Sequence, residues 1–247
     1  MIWAESLVDS PYEPSARQPN AAMPMNTGWQ GRLWLARDYC LLDGCAGDTH
    51  AHAHYAHQLM LAHDGELRLM VDGKQVQGRR LLVPSMQQHA FIESGQPMLA
   101  LYAEPLSFRL EHLQAWQGEA PTEPQALVEH LRHWPRPALD RRVEQALLGI
   151  DALLLEKVDA VDLASRVRLS LSQLERLFGD QVGLSIRRLV LWRRLRLALA
   201  MVLRGSNLTD AAHAANFADS AHFSRTVRSM FGIQARALHN LQPQLVD

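Results

Sequence analysis

The spacing of apolar and polar positions changes character partway along this 247-residue chain. In the first half, short segments alternate. Arg32 to Asp38 (RLWLARD) does so, and residues 58–62, 66–71, 74–77, 80–83, 89–92 and 98–103 are further strand-length runs. His63-Asp64-Gly65 and Asp72-Gly73 supply turn chemistry between them. Many short strands at this spacing predict a small barrel or jelly roll. From residue 107 the period becomes helical. Leu110, Leu113 and Trp116 share one face, and Leu127, Val128 and Leu131 share another. The breakers GEAPTEP (118–124) and WPRP (134–137) end these two segments. Helical spacing then continues from Leu139, first to Leu155 and next from an Asp159 cap through Val167. Residues 1–25 are rich in Pro, Ser, Ala and Asn without a period, which predicts an extended tail. The division expected is a tail over 1–25, a β domain over 26–108, connecting helices over 109–137 and an all-α domain over 138–247. The fold class is α+β in two domains.

The helical half contains one pattern twice. In LTDAAHAANFADSAHFSRTVRSMFG (208–232), small residues Ala211, Ala212 and Ala215 allow a close helix crossing. Thr209 is a cap candidate for the first helix. Asn216 takes a left-handed turn at low cost, Phe217 fills the angle, and Asp219 or Ser220 caps the second helix. Phe223, Val227 and Met230 face inward, which leaves Ser220, Ala221, Ser224, Arg225 and Arg228 outside. A helix of this kind after a tight turn suits a DNA major groove. DLASRVRLSLSQLERLF (162–178) repeats the pattern: Ala164 matches Ala212, Leu169 matches Phe217, Ser172 matches Ser220, and Arg176 matches Arg225. In this pairing the second copy has one extra residue before its arginine. With Leu174, Leu177 and Phe178 inside, Ser172, Gln173, Glu175 and Arg176 face outward. Between the copies lies an apolar, arginine-rich helix over 184–203, roughly 30 Å long. That is close to the ~34 Å repeat of major-groove faces on one side of a duplex.

Residues 139–241 resemble the DNA-binding domain of AraC/XylS-type transcription regulators, on the strength of LSLSQLERLFGDQVGLSIRRL and LTDAAHAANFADSAHFSRTVRSMFGI. The resemblance implies base-contact positions at Ser172, Glu175 and Arg176 in the first motif. In the second it implies Ser220, Ala221, Ser224 and Arg225. Three positions depart from the pattern: Asn216 replaces the usual turn glycine, Val227 a Phe, and Ala235 a Pro.

Charge is divided along the chain. Residues 1–124 carry net −6 and residues 125–247 net +5, so the basic half is the one with the repeated motif. The composition is that of a globular protein, and the sequence has no apolar run of membrane-spanning length. Cys40 and Cys45 are too few for a disulfide framework. They read as reduced thiols in a cytoplasmic protein, with no membrane partner.

Histidines mark the β half. His52-x-His54-x3-Gln58-x6-Gly65 and Gly78-x5-Pro84-x4-His89 resemble the two cupin motifs, with Gln58 where metal-binding cupins have Glu and Met86 where the second has Gly. On a strand, His52 and His54 point to one face, and His50 joins them if the strand extends that far. Three readings stand side by side. His50, His52, His54, Gln58 and His89 bind an organic effector; His52, His54 and His89 hold a divalent metal such as Zn, Fe, Ni or Cu; or the imidazoles are structural. No cofactor is required.

The expected function is that of a non-enzymatic regulator that binds double-stranded DNA sequence-specifically and senses a small-molecule effector through its cupin-like N-terminal domain. The resemblance adds RNA polymerase and a second copy of the chain as partners. The alternative from another class is a metal-dependent cupin enzyme fused to a DNA-binding domain.

Overall fold

The computed structural model describes residues 29–244, and the tail expected over 1–25 lies outside them. Eight strands occupy the first part: β1 (Gln30–Leu35), β2 (Tyr39–Cys45), β3 (His57–Ala62), β4 (Leu67–Val71), β5 (Lys74–Gly78), β6 (Arg80–Val83), β7 (His89–Phe91) and β8 (Pro97–Ala103). A ninth, β9 (Leu241–Gln244), comes from the other end of the chain and pairs parallel with β1, Gly31 opposite Leu241. The ladders form a six-stranded sheet in the order β6-β3-β8-β2-β1-β9 and a three-stranded sheet β5-β4-β7. Among the described residues these sheets do not close into the expected barrel. They pack on a shared core, and His52, in the connection after β2, and His89 of β7 form a bridge in which their backbone N–H groups donate to each other's carbonyls at 3.0 and 2.9 Å.

The larger sheet is covered on both faces, so β3 reads as an unbroken HQLMLA with every residue buried. One face packs Leu41, Leu59 and Leu101 against Leu113 of α1 (Leu110–Trp116) and Leu127 and Leu131 of α2 (Pro124–Arg132). Each such leucine contributes roughly 1.5–3 kcal/mol. The apolar faces of the connecting helices are therefore used within the chain, the packing alternative to a dimer face. The other face of the sheet carries Met60, Met98 and Ala100 into a core shared with the second sheet and with the helical half.

That half consists of α3 (Arg141–Ala152), α4 (Ala160–Arg166), α5 (Leu171–Val182), α6 (Ile186–Leu203), α7 (Leu208–Ala214), α8 (Ser220–Phe231) and a 3-10 helix over Ala235–Asn240. The 18 residues of α6 span about 27 Å. Its apolar residues are buried around most of its circumference, which accounts for the absence of a clean amphipathic stripe. Several of its arginines are internal ties. Arg193 pairs with Asp151, Arg194 donates to the carbonyls of Leu154 and Glu156, and Arg196 pairs with the buried Glu104 and donates to the Ala36 carbonyl. Glu104 also accepts from the Trp192 indole at 2.9 Å. Trp192 and Arg196 thus join the two halves and pair the buried Glu104 carboxylate. Among the described residues no helix is long and apolar enough to cross a membrane.

Candidate nucleic-acid interface and histidine cluster

The two helix-turn-helix units, α4–α5 and α7–α8, are closed by the same bonds. In the first turn Arg168 adopts φ 58° and the N–H of Leu169 donates to the Ala164 carbonyl at 2.9 Å. In the second, Asn216 adopts φ 58° and the N–H of Phe217 donates to the Ala212 carbonyl, also at 2.9 Å. The left-handed residue is what lets the chain reverse between the helices. Phe217 is buried against Phe223, their ring centroids 5.4 Å apart.

The caps set the register of the exposed helices. The Ser170 hydroxyl accepts from the Gln173 N–H while the Gln173 side chain accepts from the Ser170 N–H, a reciprocal capping box. Asp219 accepts from the N–H of His222, which holds its carboxyl below the usual range. Each helix runs 12 residues, and Arg176 and Arg225 both stand six positions after the cap. The extra residue of the second copy thus lies in the turn, at Ala218, and the structural partner of Ser172 is Ala221 rather than Ser220. The cap of α7 is likewise Asn207, which accepts from the Asp210 N–H, and not Thr209, which lies inside the helix.

Ser172, Gln173, Glu175, Arg176, Ala221 and Arg225 are exposed, while Ser220 and Ser224 are half-buried at the edge of the same surface. The side-chain oxygen of Gln173 is occupied by its cap, so its NH2 group is the part left for another partner.

Three of the histidines converge, though not on the expected strand: His52 is an isolated bridge residue and His54 lies in irregular backbone between β2 and β3. His52, His54 and His89 are buried, and their ring centroids lie 4.3 Å (His52–His89), 5.0 Å (His54–His89) and 5.7 Å (His52–His54) apart. One nitrogen from each lies within 4.8 Å of the others, a set able to hold a divalent metal. Gln58 Oε1 stands 2.8 Å from His89 Nε2 and 3.2 Å from His54 Nε2, while the Gln58 NH2 donates to the Tyr102 hydroxyl at 3.1 Å. Burial disfavours the charged imidazolium and moves His52 down to about 4 and His54 to about 3, with the neighbouring His89 adding to both; burial lowers His89 too. All three are neutral near pH 7. His50 does not join them: residues 46–56 form no strand, and His50 is exposed with its ring facing α8.

The sequence pattern does not show how closely this cluster abuts α5 and α8, the second helices of the two units. The Tyr55 hydroxyl donates to the carbonyl of Val182, the last residue of α5, at 2.7 Å. The His50 N–H donates to the carbonyl of Gly232, just past α8, at 3.0 Å. Arg228 of α8 donates to His50 Nε2 at 2.9 Å. Residues 50–55 thus hold the C-terminal ends of both exposed helices and carry two of the three clustered histidines. No local pattern announces a hydrogen bond between residues 127 or 182 positions apart.

Residues 163–240 match the family model described as a helix-turn-helix domain. Over 99 residues the chain is 30% identical to an uncharacterized HTH-type transcriptional regulator, YidL, of Escherichia coli (strain K12), a match that covers 40% of this chain and 33% of YidL. The chain therefore spans about a third of the length of that curated relative. A transcriptional regulator of Chromobacterium violaceum with an AraC-type DNA-binding domain is 28% identical over 40% of this chain and 88% of its own, with a TM-score of 0.38. Across most of the molecule the fold is similar to that of ToxT from Vibrio cholerae, with a TM-score of 0.54, 11% identity, and coverage of 83% of this chain and 99% of ToxT. YidL and the Chromobacterium violaceum protein are both described as transcriptional regulators, and the likeness to ToxT is one of fold. Residues 163–240 of this chain form a helix-turn-helix domain, and the curated relative that matches this region is an HTH-type transcriptional regulator.

Proposed function

We propose that the chain is a sequence-specific DNA-binding transcription regulator in which both helix-turn-helix units enter DNA and the N-terminal domain senses an effector. The observation that carries this reading is the duplication: two exposed helices, each with an arginine six positions past its cap, stand at either end of one stiff helix. Arg176 and Arg225 read guanine, for which a bidentate guanidinium is the best-suited side chain. Ser172, Gln173, Ser220, Ala221 and Ser224 line the same grooves with short or adaptable groups, and Glu175 accepts from cytosine N4. Exposed Arg187 and Arg188, at the start of α6, contribute phosphate contacts. The N-terminal domain plays the part of a cupin-like sensor built from two sheets, and RNA polymerase and a second copy of the chain are its further partners.

The test is selection of genomic fragments by the purified full chain at physiological salt. A few sharply enriched sites are expected. Uniform retention of all fragments, with a steep loss on adding salt, would reduce the units to phosphate clamps.

A further inference from the structure

The outer face of α8 does not end at Arg225. Ala221, Arg225, Arg228 and Gly232 follow one another at spacings of four, three and four, which is one stripe of a helix. The first three are exposed. The fourth is buried under residues 50–52: a methyl group at Gly232 would lie 2.4 Å from the His50 oxygen and 2.7 Å from His52 Nδ1. A recognition helix meets base edges with its N-terminal residues. Arg228 stands about 10 Å along the axis from Ala221, so with Ala221 and Arg225 at base edges it reaches the phosphate rim of the groove.

In this structure that guanidinium has another partner. Arginine only donates, so His50 Nε2 is the acceptor of the 2.9 Å bond from Arg228. Beside it the His50 N–H donates to the Gly232 carbonyl at 3.0 Å. Among the described residues no carboxylate pairs with Arg228. The segment that carries His50 is fixed from behind. His52 and His89 exchange two backbone hydrogen bonds, and the Met86 N–H donates to the His54 carbonyl at 2.8 Å. It therefore belongs to the N-terminal domain and not to α8. It also brings negative charge to the rim, with Asp48 exposed two residues before His50 and net −6 over residues 1–124. Phosphates approaching the end of α8 meet like charge there.

The first unit has no such brake. Gly179 stands nine positions after its cap, as Arg228 does in the second unit, and open space surrounds it.

We propose that Arg228 is a phosphate contact of the second unit and that the N-terminal domain withholds it through His50. The proposal rests on the reading of α8 as a DNA-binding helix. DNA and His50 compete for one guanidinium, so the N-terminal domain restrains α8 and leaves α5 free. Any event that draws residues 50–52 away from α8 releases Arg228 and strengthens the second unit's hold on DNA.

The test is binding of the full-length wild type, His50→Ala, Arg228→Ala and the double variant to a duplex selected from genomic fragments and to a random-sequence duplex, each over a range of salt. Both residues are exposed, and alanine keeps the His50 N–H bond to Gly232, so the variants fold. His50→Ala is expected to tighten binding about twofold to tenfold on both duplexes, the worth of one hydrogen bond. Arg228→Ala weakens binding to both equally and lowers the salt slope by about one. In the Arg228→Ala background the gain from His50→Ala disappears. An unchanged affinity in His50→Ala, or the same gain without Arg228, would overturn the restraint. An unchanged salt slope in Arg228→Ala, or a loss confined to the selected duplex, would overturn the phosphate contact. If neither duplex is preferred, the sequence-specific reading fails, and the salt slopes on the random duplex still decide this contact.

Discussion

The helix-turn-helix units α4–α5 and α7–α8 are near copies in their local chemistry and differ in what their far ends rest on. Each has a side-chain cap, a left-handed residue in the turn, the same turn hydrogen bond and a closing glycine, Gly183 at φ 73° and Gly232 at φ 67°. Beyond Gly183 there is open space, whereas Gly232 is pressed against His50 and His52. One phenol holds the end of α5. A backbone amide, an arginine–imidazole bond and a ring contact hold the end of α8. Local sequence thus makes the two units alike, and tertiary contact makes only the second one strongly answerable to the N-terminal domain.

Acid tests this asymmetry most severely. In the unfolded chain the imidazoles protonate near 6.5, but burial holds His52 to about 4 and His54 to about 3 in the folded chain. Between those values the unfolded state binds more protons. Stability is therefore complete above pH 6.5 and falls on acidification, by about 1.4 kcal/mol per pH unit for each imidazole. Denaturant titrations of metal-free protein across pH 7 to 4.5 check the slope. Hydrogen exchange in the same range loses protection at the end of α8 before the end of α5.

The glycines come next. Gly183→Ala carries only the left-handed backbone cost, about 1–2 kcal/mol. Gly232→Ala adds overlap with His50 and His52, for a total of about 3 kcal/mol. Urea unfolding measures both, and equal losses would mean that α8 is not seated as described. Arg176→Ala and Arg225→Ala each remove about 1–3 kcal/mol of discrimination between a selected site and a random duplex. An equal loss on both duplexes would make the arginine a phosphate clamp. The smallest change is Tyr55→Phe, which deletes the bond to Val182 and costs about 1 kcal/mol. It raises exchange at the end of α5 and leaves α8 untouched.

What could be read from the residues alone follows the same division. The duplicated motif, the Asn216 turn, the Asp219 cap and the Asp72-Gly73 hairpin are short-range chemistry, and the structure has them where the residues suggested. The convergence of His52, His54 and His89 follows the motif spacing, but not the strand alternation expected for it, since His52 and His54 lie in the connection between β2 and β3. Interactions set by distant partners were not legible. In β2 (YCLLDGC) the Asp43-Gly44 pair interrupts the apolar pattern, so it reads as no strand, and it forms because β1 and β8 pair on either side. β9 falls in the stretch expected to be all-α and becomes a strand only by pairing with β1, some 210 residues earlier. His50 fits the alternation of His52 and His54, yet this stretch forms no strand, and the His50 ring turns to Arg228. The Thr209 cap was misplaced because Asn207, two residues earlier, is as good an acceptor and starts the helix sooner.

The central claim is that one chain reads DNA with both units at once. Hydroxyl-radical footprinting of the full-length protein on a selected site tests it directly. Two protected tracts about one helical turn apart are expected on one side of the duplex, the tract nearer each arginine fading separately in Arg176→Ala and Arg225→Ala. A single tract, or two that fade together in either variant, would contradict the claim.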